Sequence, residues 1–312
     1  MCKRVLFFVL MLSLSLAAFG QEMTVEEALA LFPEGGDVAV LMDDEGQAAL
    51  EAAIVTMELA LGVNTLFDHT NEDAYMALEI DKTDKLLVNA LSQGYYTWGD
   101  IFLQEKEEKK DAFTRGQYWG LKSLRMSEAF IAEELRHSFI DAVNQETDIA
   151  ALFWTYGNWS RKDEYEPIQA VFRNDPPKLV ALIERCLELD ETFMDNAAYR
   201  ALAAFWGGLP PAPLIEFGQK LPRALSYICP VIDEPAFCSD CSDCPIAEDV
   251  DEYFENRLIF AQYYLMEMSL WEDAERVLLS ILDDPIGDRY ALYNAYCQLR
   301  AAELIETVRE EL

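Results

Sequence analysis

DKLLVNALSQGYYTWGDIFL, residues 84–103, sets Leu86, Leu87, Ala90, Leu91, Tyr95 and Trp98 three and four positions apart. That spacing runs along one stripe of an α-helix, whereas a half-buried strand needs every second residue apolar. The same period extends in both directions. Upstream, residues 46–67 are rich in Ala, Leu, Met and Glu, which propagate helix. Before them, Thr24 with Glu27 three residues on reads as a capping box opening a short helix, which Pro33-Glu34-Gly35-Gly36 stops. Downstream, a charged stretch at 104–110 is expected as a turn or solvated helix end, after which Phe113, Tyr118, Leu121 and Leu124 resume the stripe. Phe130, Leu135, Phe139 and Val143 then mark one face of 127–143, and Leu152, Phe153, Tyr156 and Trp159 one face of 148–159. Asn174-Asp175-Pro176-Pro177 is a connection and a new helix start, followed by helices over 179–189 and 196–206. No run of alternating β-branched residues interrupts the pattern, so the fold is expected to be all-α.

Two stretches fit degenerate tetratricopeptide units. In the later one, Ser269 to Ala274 occupies the turn between paired helices, Leu278 and Ile281 take packing positions, and Asp284-Pro285 closes the unit. In the earlier one, Ile183, Cys186 to Asp190 and Ala201 follow the same template, with Glu191 where a proline is expected. A period of about 34 residues predicts a right-handed stack of helical hairpins, a tetratricopeptide-like α-solenoid, because each hairpin leaves an apolar face that only a neighbour covers. The expected organisation is a signal peptide over 1–20, an N-terminal arm with a short helix over 21–45, and one helical domain over 46–312. That domain carries a cysteine-bearing loop at 229–249.

The leader is read from Lys3 and Arg4, the apolar run from Val5 to Ala18, and Ala18-Phe19-Gly20 before Gln21. Its apolar stretch is short for a membrane span. Cleavage before Gln21 leaves no cysteine at the new N-terminus, so the expectation is a protein of the periplasm without a lipobox. Losing Lys3 and Arg4 with that segment takes the formal charge from −33 to −35. So acidic a chain repels phosphate backbones and anionic membrane surfaces, which excludes nucleic acid as a partner. With 52% hydrophobic and 12% aromatic residues it still has the means to bury a large core, and the acids are expected on a solvated outer face.

Chemistry is sparse. His69 lies in a polar turn and His137 on a helix, and neither has a serine or cysteine nucleophile nearby in a recognisable motif. Gly35-Gly36-Asp37 lacks the lysine and hydroxyl of a phosphate loop, and the acid clusters Asp43-Asp44-Glu45 and Asp81 with Asp84 lack the calcium-loop ligand pattern. No catalytic residue, cofactor or metal is assigned. Cys229, Cys238, Cys241 and Cys244 crowd into one polar loop and, in an exported protein, read first as disulfides of undetermined pairing. The two-residue spacings within 238–244 also suit zinc, and the expected role is a loop staple. Asn158-Trp159-Ser160 has the glycosylation pattern, relevant only in a eukaryotic host.

Several strings, in order, resemble the T-component family of tripartite ATP-independent periplasmic (TRAP) transporters. They are LLVNALSQGYYTWGDIF from Leu86, AFTRGQYWGLKSL from Ala112, ALFWTYGNW from Ala151, the stretch 179–205 with its CLELD core, and RYALYNAYCQLRAAEL from Arg289. The resemblance implies a non-enzymatic helical-repeat protein that associates with the periplasmic substrate-binding component of such a transporter, offers an apolar cavity to a hydrophobic small molecule, and forms a homo-trimer. The aromatics within the matching strings, Tyr95, Trp98, Tyr118, Trp154 and Trp159, are the expected cavity lining. Two departures stand out: members are often lipoproteins, and the cysteine loop falls where the family runs on into another helical unit. The competing reading is a tetratricopeptide scaffold that assembles an envelope complex without a small ligand.

Overall fold

The structure is a computed structural model and describes residues 23–211, 216–238 and 252–312. The expected leader at 1–20, its junction at Gln21, and Cys241 and Cys244 lie outside the described residues. Among the described residues all regular structure is helical. The N-terminal arm carries α1 (Val25–Ala30), whose Thr24 and Glu27 exchange both capping-box bonds. α2 (Asp44–Ala60) is capped by Asp43, which accepts from the Gly46 amide at 2.7 Å. After the short α3 (Glu72–Met76) comes α4 (Lys85–Thr97), the helix of the opening stripe, which continues into a wider π-type turn at Trp98–Phe102.

Of the two expectations for the charged stretch it is the solvated helix end that holds, since it starts α5 (Lys106–Leu124). Glu107 and Glu108 in its first turn favour the exposed amides there, so the charge marks a helix start. Residues 127–143 split into α6 (Glu128–Arg136) and α7 (Phe139–Val143), because Ser138 leaves the helix and caps a new one by accepting from the Asp141 amide. Next come α8 (Ile149–Tyr165), the six-residue α9 (Pro167–Phe172), α10 (Asp175–Leu189), α11 (Phe193–Gly208) and α12 (Leu221–Ile228). The chain ends with α13 (Phe254–Phe260), which has its own π-type turn at Ala261–Leu265, then α14 (Trp271–Asp283) and α15 (Ala291–Glu311).

Packing is strongest between α5 and α8, α4 and α5, α11 and α12, and α14 and α15. The α5–α8 crossing is close because Gly116 and Gly120 present no side chain: a Cβ on Gly120 would meet Thr155 Oγ1 at 2.4 Å. Polar bonds tie α4 into that crossing. Ser92 donates to the Gly116 carbonyl at 2.8 Å, and the Asn158 amide donates to the Ser92 carbonyl at 2.8 Å. Asn158 is therefore wholly buried with its amide engaged, and the sequon at 158–160 is closed to any modifying enzyme. Tyr253, Tyr290, Leu292 and Tyr293 join the same apolar cluster as residues 28–119, so the first and last helices of the array share a core.

Cys229 pairs with Cys238 across a nine-residue separation, closing a loop that packs on α13 through Val231 and Ile232. Cys186 and Cys297 are buried and unpaired, as small core residues. Closing so short a loop restricts the unfolded chain by about 2–3 kcal/mol. Reduction, or Cys229→Ser with Cys238→Ser, is expected to lower the melting temperature by several degrees in thermal melts with and without reductant. Equal melts would show that the link stabilises nothing.

Candidate functional site: an apolar cavity with a charged end

A cavity of about 810 Å³ opens between α8, α10, α11 and α13. Its walls are mostly apolar: Phe153 and Tyr156 from α8, Leu179 from α10, Ala201 and Phe205 from α11, and Ile259 from α13. That volume and lining suit an organic molecule of moderate size. Pro167, Ala170 and Val171 of α9 also line it, while Ile168 and Phe172 stand 69% and 83% exposed beside them. The mouth therefore has an apolar rim.

The inner end is charged, and both π-type turns build it. The first brings Asp100 to 6% exposure and within 3.3 Å of the Arg161 guanidinium. The second swings Tyr263 against α11, where a Cβ on Gly207 would meet the Tyr263 carbonyl at 2.2 Å. Only glycine lets the two backbones approach so closely. π-Type turns insert one extra residue and re-aim those that follow, which is why they gather at functional sites. Arg161 also pairs with Glu164 at 3.2 Å, and Tyr96 and Tyr263 line the cavity beside it. A second, polar cavity of about 190 Å³ lies beyond this group and shares Arg161, Glu164, Glu255, Ile259 and Tyr263 with the first. The Arg161 cluster is thus the partition between them.

Arg200 anchors the neighbouring wall. Its guanidinium bonds Glu255 at 3.0 Å, Asn256 at 3.2 Å, the Met194 carbonyl at 2.9 Å and the Asp195 carbonyl, and lies 4.2 Å from the Tyr253 ring centre. Met194, Asp195 and Asn196 all have positive φ, so the start of α11 is a left-handed turn, held by Arg200 together with the Asn196 amide, which donates to the Glu191 carbonyl at 3.0 Å, and Arg289, which bonds Asp195 at 3.1 Å.

Two buried acids are held off their ordinary ionisation. Burial, reinforced by the Asp175 charge, pushes Asp163 up to about 7, although Arg173 donates to it at 2.8 Å. Burial, reinforced by Glu255, pushes Asp37 up to about 7 also. A carboxyl raised in the folded state favours folding fully below its unfolded value near 4, and loses that contribution as pH rises to about 7. The melting temperature is therefore expected to fall between about pH 4 and pH 7, and to fall less in Asp163→Asn. An unchanged slope in that variant would remove Asp163 as a source.

The five aromatics expected to line the cavity lie elsewhere. Tyr95 donates to the buried Glu58 at 2.8 Å, and Trp98 and Tyr118 pack on the same N-terminal cluster. Trp159 sits in the central core against Phe139. Trp154 stands behind the wall, against Tyr96 and Phe153. The lining comes from sequence neighbours, Tyr96, Phe153 and Tyr156, on the other side of the same helices. Arg161, Glu164 and Arg200 were not singled out in the sequence: Arg161 and Glu164 belong to the charged run SRKDEYE at 160–166, and Arg200 is a lone charge among apolar residues. His69 bonds the Tyr75 hydroxyl at 2.7 Å and His137 bonds Glu133 at 2.6 Å on the surface, so neither meets a nucleophile or the cavity.

Residues 75–213, which carry most of the cavity wall, match a family model. It is that of the TRAP transporter T-component. The family resemblance read from local strings is borne out over that span, and the family so matched is a transporter accessory component associated with the cell envelope and not known as an enzyme family. No curated protein matches the chain. Among the described residues no helix of this T-component-like chain is long and apolar enough to cross a membrane.

Proposed function

We propose that the protein is a periplasmic accessory component of a TRAP-type uptake system which docks on the substrate-binding component and holds a hydrophobic small molecule in the cavity between α8, α10, α11 and α13. The observation that carries this reading is an apolar cavity of about 810 Å³ built largely from the segment that matches the T-component family. The mechanism is binding and hand-over with no covalent step. Burying the ligand's apolar surface contributes about 25 cal/mol per Å², offset by the ligand's lost freedom. The right-handed hairpin stack and the homo-trimer belong to the same proposal.

Native mass spectrometry of gently purified protein tests the ligand, with a bound apolar mass as the expected result. A clean polypeptide mass would favour the scaffold reading. The partner is tested by capture of a TRAP-type substrate-binding component from the same organism on the purified protein. Phe172→Glu, which puts charge on the exposed rim, is expected to weaken that capture by about tenfold or more without changing the melting temperature.

A further inference from the structure

The charged end of the cavity limits what chemistry the ligand's head group has. Arg161 and Arg200 are the guanidinium groups in its lining, and both are committed: Arg161 to Asp100 and Glu164, Arg200 to Glu255 and two backbone carbonyls. Against them the same lining carries four carboxylates, Asp163, Glu164, Glu216 and Glu255. Asp163 is only 7% exposed and its Oδ2 has no hydrogen-bond partner. Glu164 lines the cavity with its side chain 55% accessible. It meets Arg161 through one guanidinium nitrogen alone, at 3.2 and 3.4 Å, which leaves lone pairs free on both oxygens.

An incoming carboxylate head finds no uncommitted guanidinium and meets a surplus of negative charge, in a chain whose formal charge is already −33. A head that donates hydrogen bonds finds acceptors waiting, and a cationic one gains charge attraction as well. Resting on the reading of this cavity as a ligand site, we propose that its ligand class is an apolar body bearing a cationic or hydrogen-bond-donating head, with an ammonium preferred. Glu164 is the residue that receives it, and fatty-acid-like carboxylates are rejected.

Three probes of one chain length test this at about pH 8 by calorimetry on the full chain: octylamine, octanol and octanoate. Octylamine is expected to bind at least about tenfold tighter than octanoate and to compete with octanol for one site. Glu164→Gln, which keeps an acceptor oxygen but removes the charge, should cut the octylamine affinity by about fivefold or more and the octanol affinity by far less, a difference that binding to the acidic surface would not give. Octanoate binding as tightly as octylamine, or octylamine indifferent to Glu164→Gln, overturns the head-group inference and leaves the cavity reading standing if octanol binds. Failure of all three probes overturns both. Should Glu164→Gln not fold, the wild-type ranking of amine over carboxylate decides.

Discussion

Replacing Arg200 by leucine is expected to destabilise the protein by about 3–5 kcal/mol, the usual cost of removing one partner from a buried ionic group. The loss has three parts. Glu255 loses its 3.0 Å ion pair, the Met194 and Asp195 carbonyls lose their donor, and the left-handed residues 194–196 lose one of the groups that hold them. Backbone in that region costs about 1–3 kcal/mol per residue and persists only where the surroundings enforce it. Arg200→Lys keeps the charge but reaches fewer of these partners, so it should fall between wild type and leucine in thermal melts. Amide exchange is expected to rise first around 193–200, and a leucine variant with wild-type stability and exchange would show that the turn stands without its clamp.

Gly120→Val should be nearly as damaging, for a steric reason. The Cβ would lie 2.4 Å from Thr155 Oγ1 and 2.9 Å from Thr155 Cα, and Thr155 is wholly buried. Rotating the hydroxyl aside does not relieve the backbone contact, so α5 and α8 must separate. Overpacking of this kind costs about 1–3 kcal/mol, while the gain in helix propensity on losing a glycine is about 1 kcal/mol at most. Separation of the helices also strains the Ser92–Gly116 and Asn158–Ser92 bonds, which puts the expected effect near the top of that range. A fall in melting temperature of about 2–4 °C per kcal/mol is the measurement, and an unchanged or raised value would show that the crossing has slack.

These two sites differ in how far the sequence announces them. GQYWG at 116–120 is visible as two small residues one helical turn apart, but only the fold shows which helix lies against them. Arg200 sits in a run of Ala, Leu and Phe, where a lone arginine reads as the exposed side of an amphipathic helix; its role depends on Glu255 and Asn256, fifty-five and fifty-six positions away. The same limit explains the cavity. Tyr95 and Tyr96 are adjacent, and the apolar period takes in Tyr95 and passes over Tyr96, yet of the two it is Tyr96 that reaches the empty space. Periodicity gives a face of a helix to within about one residue in four and does not tell core from cavity, because both are lined by the same side chains.

Local chemistry determined the helices: their period, the Thr24–Glu27 and Ser138 caps and the proline starts all act within a turn or two, so the all-α class and the string-level likeness to T-components were readable in order along the chain. Tertiary structure alone decided where the apolar faces fail to meet. The cavity, the Arg161 partition with its two π-type turns, and the shared core of first and last helices arise from contacts between residues tens to hundreds of positions apart, whose geometry no local pattern encodes.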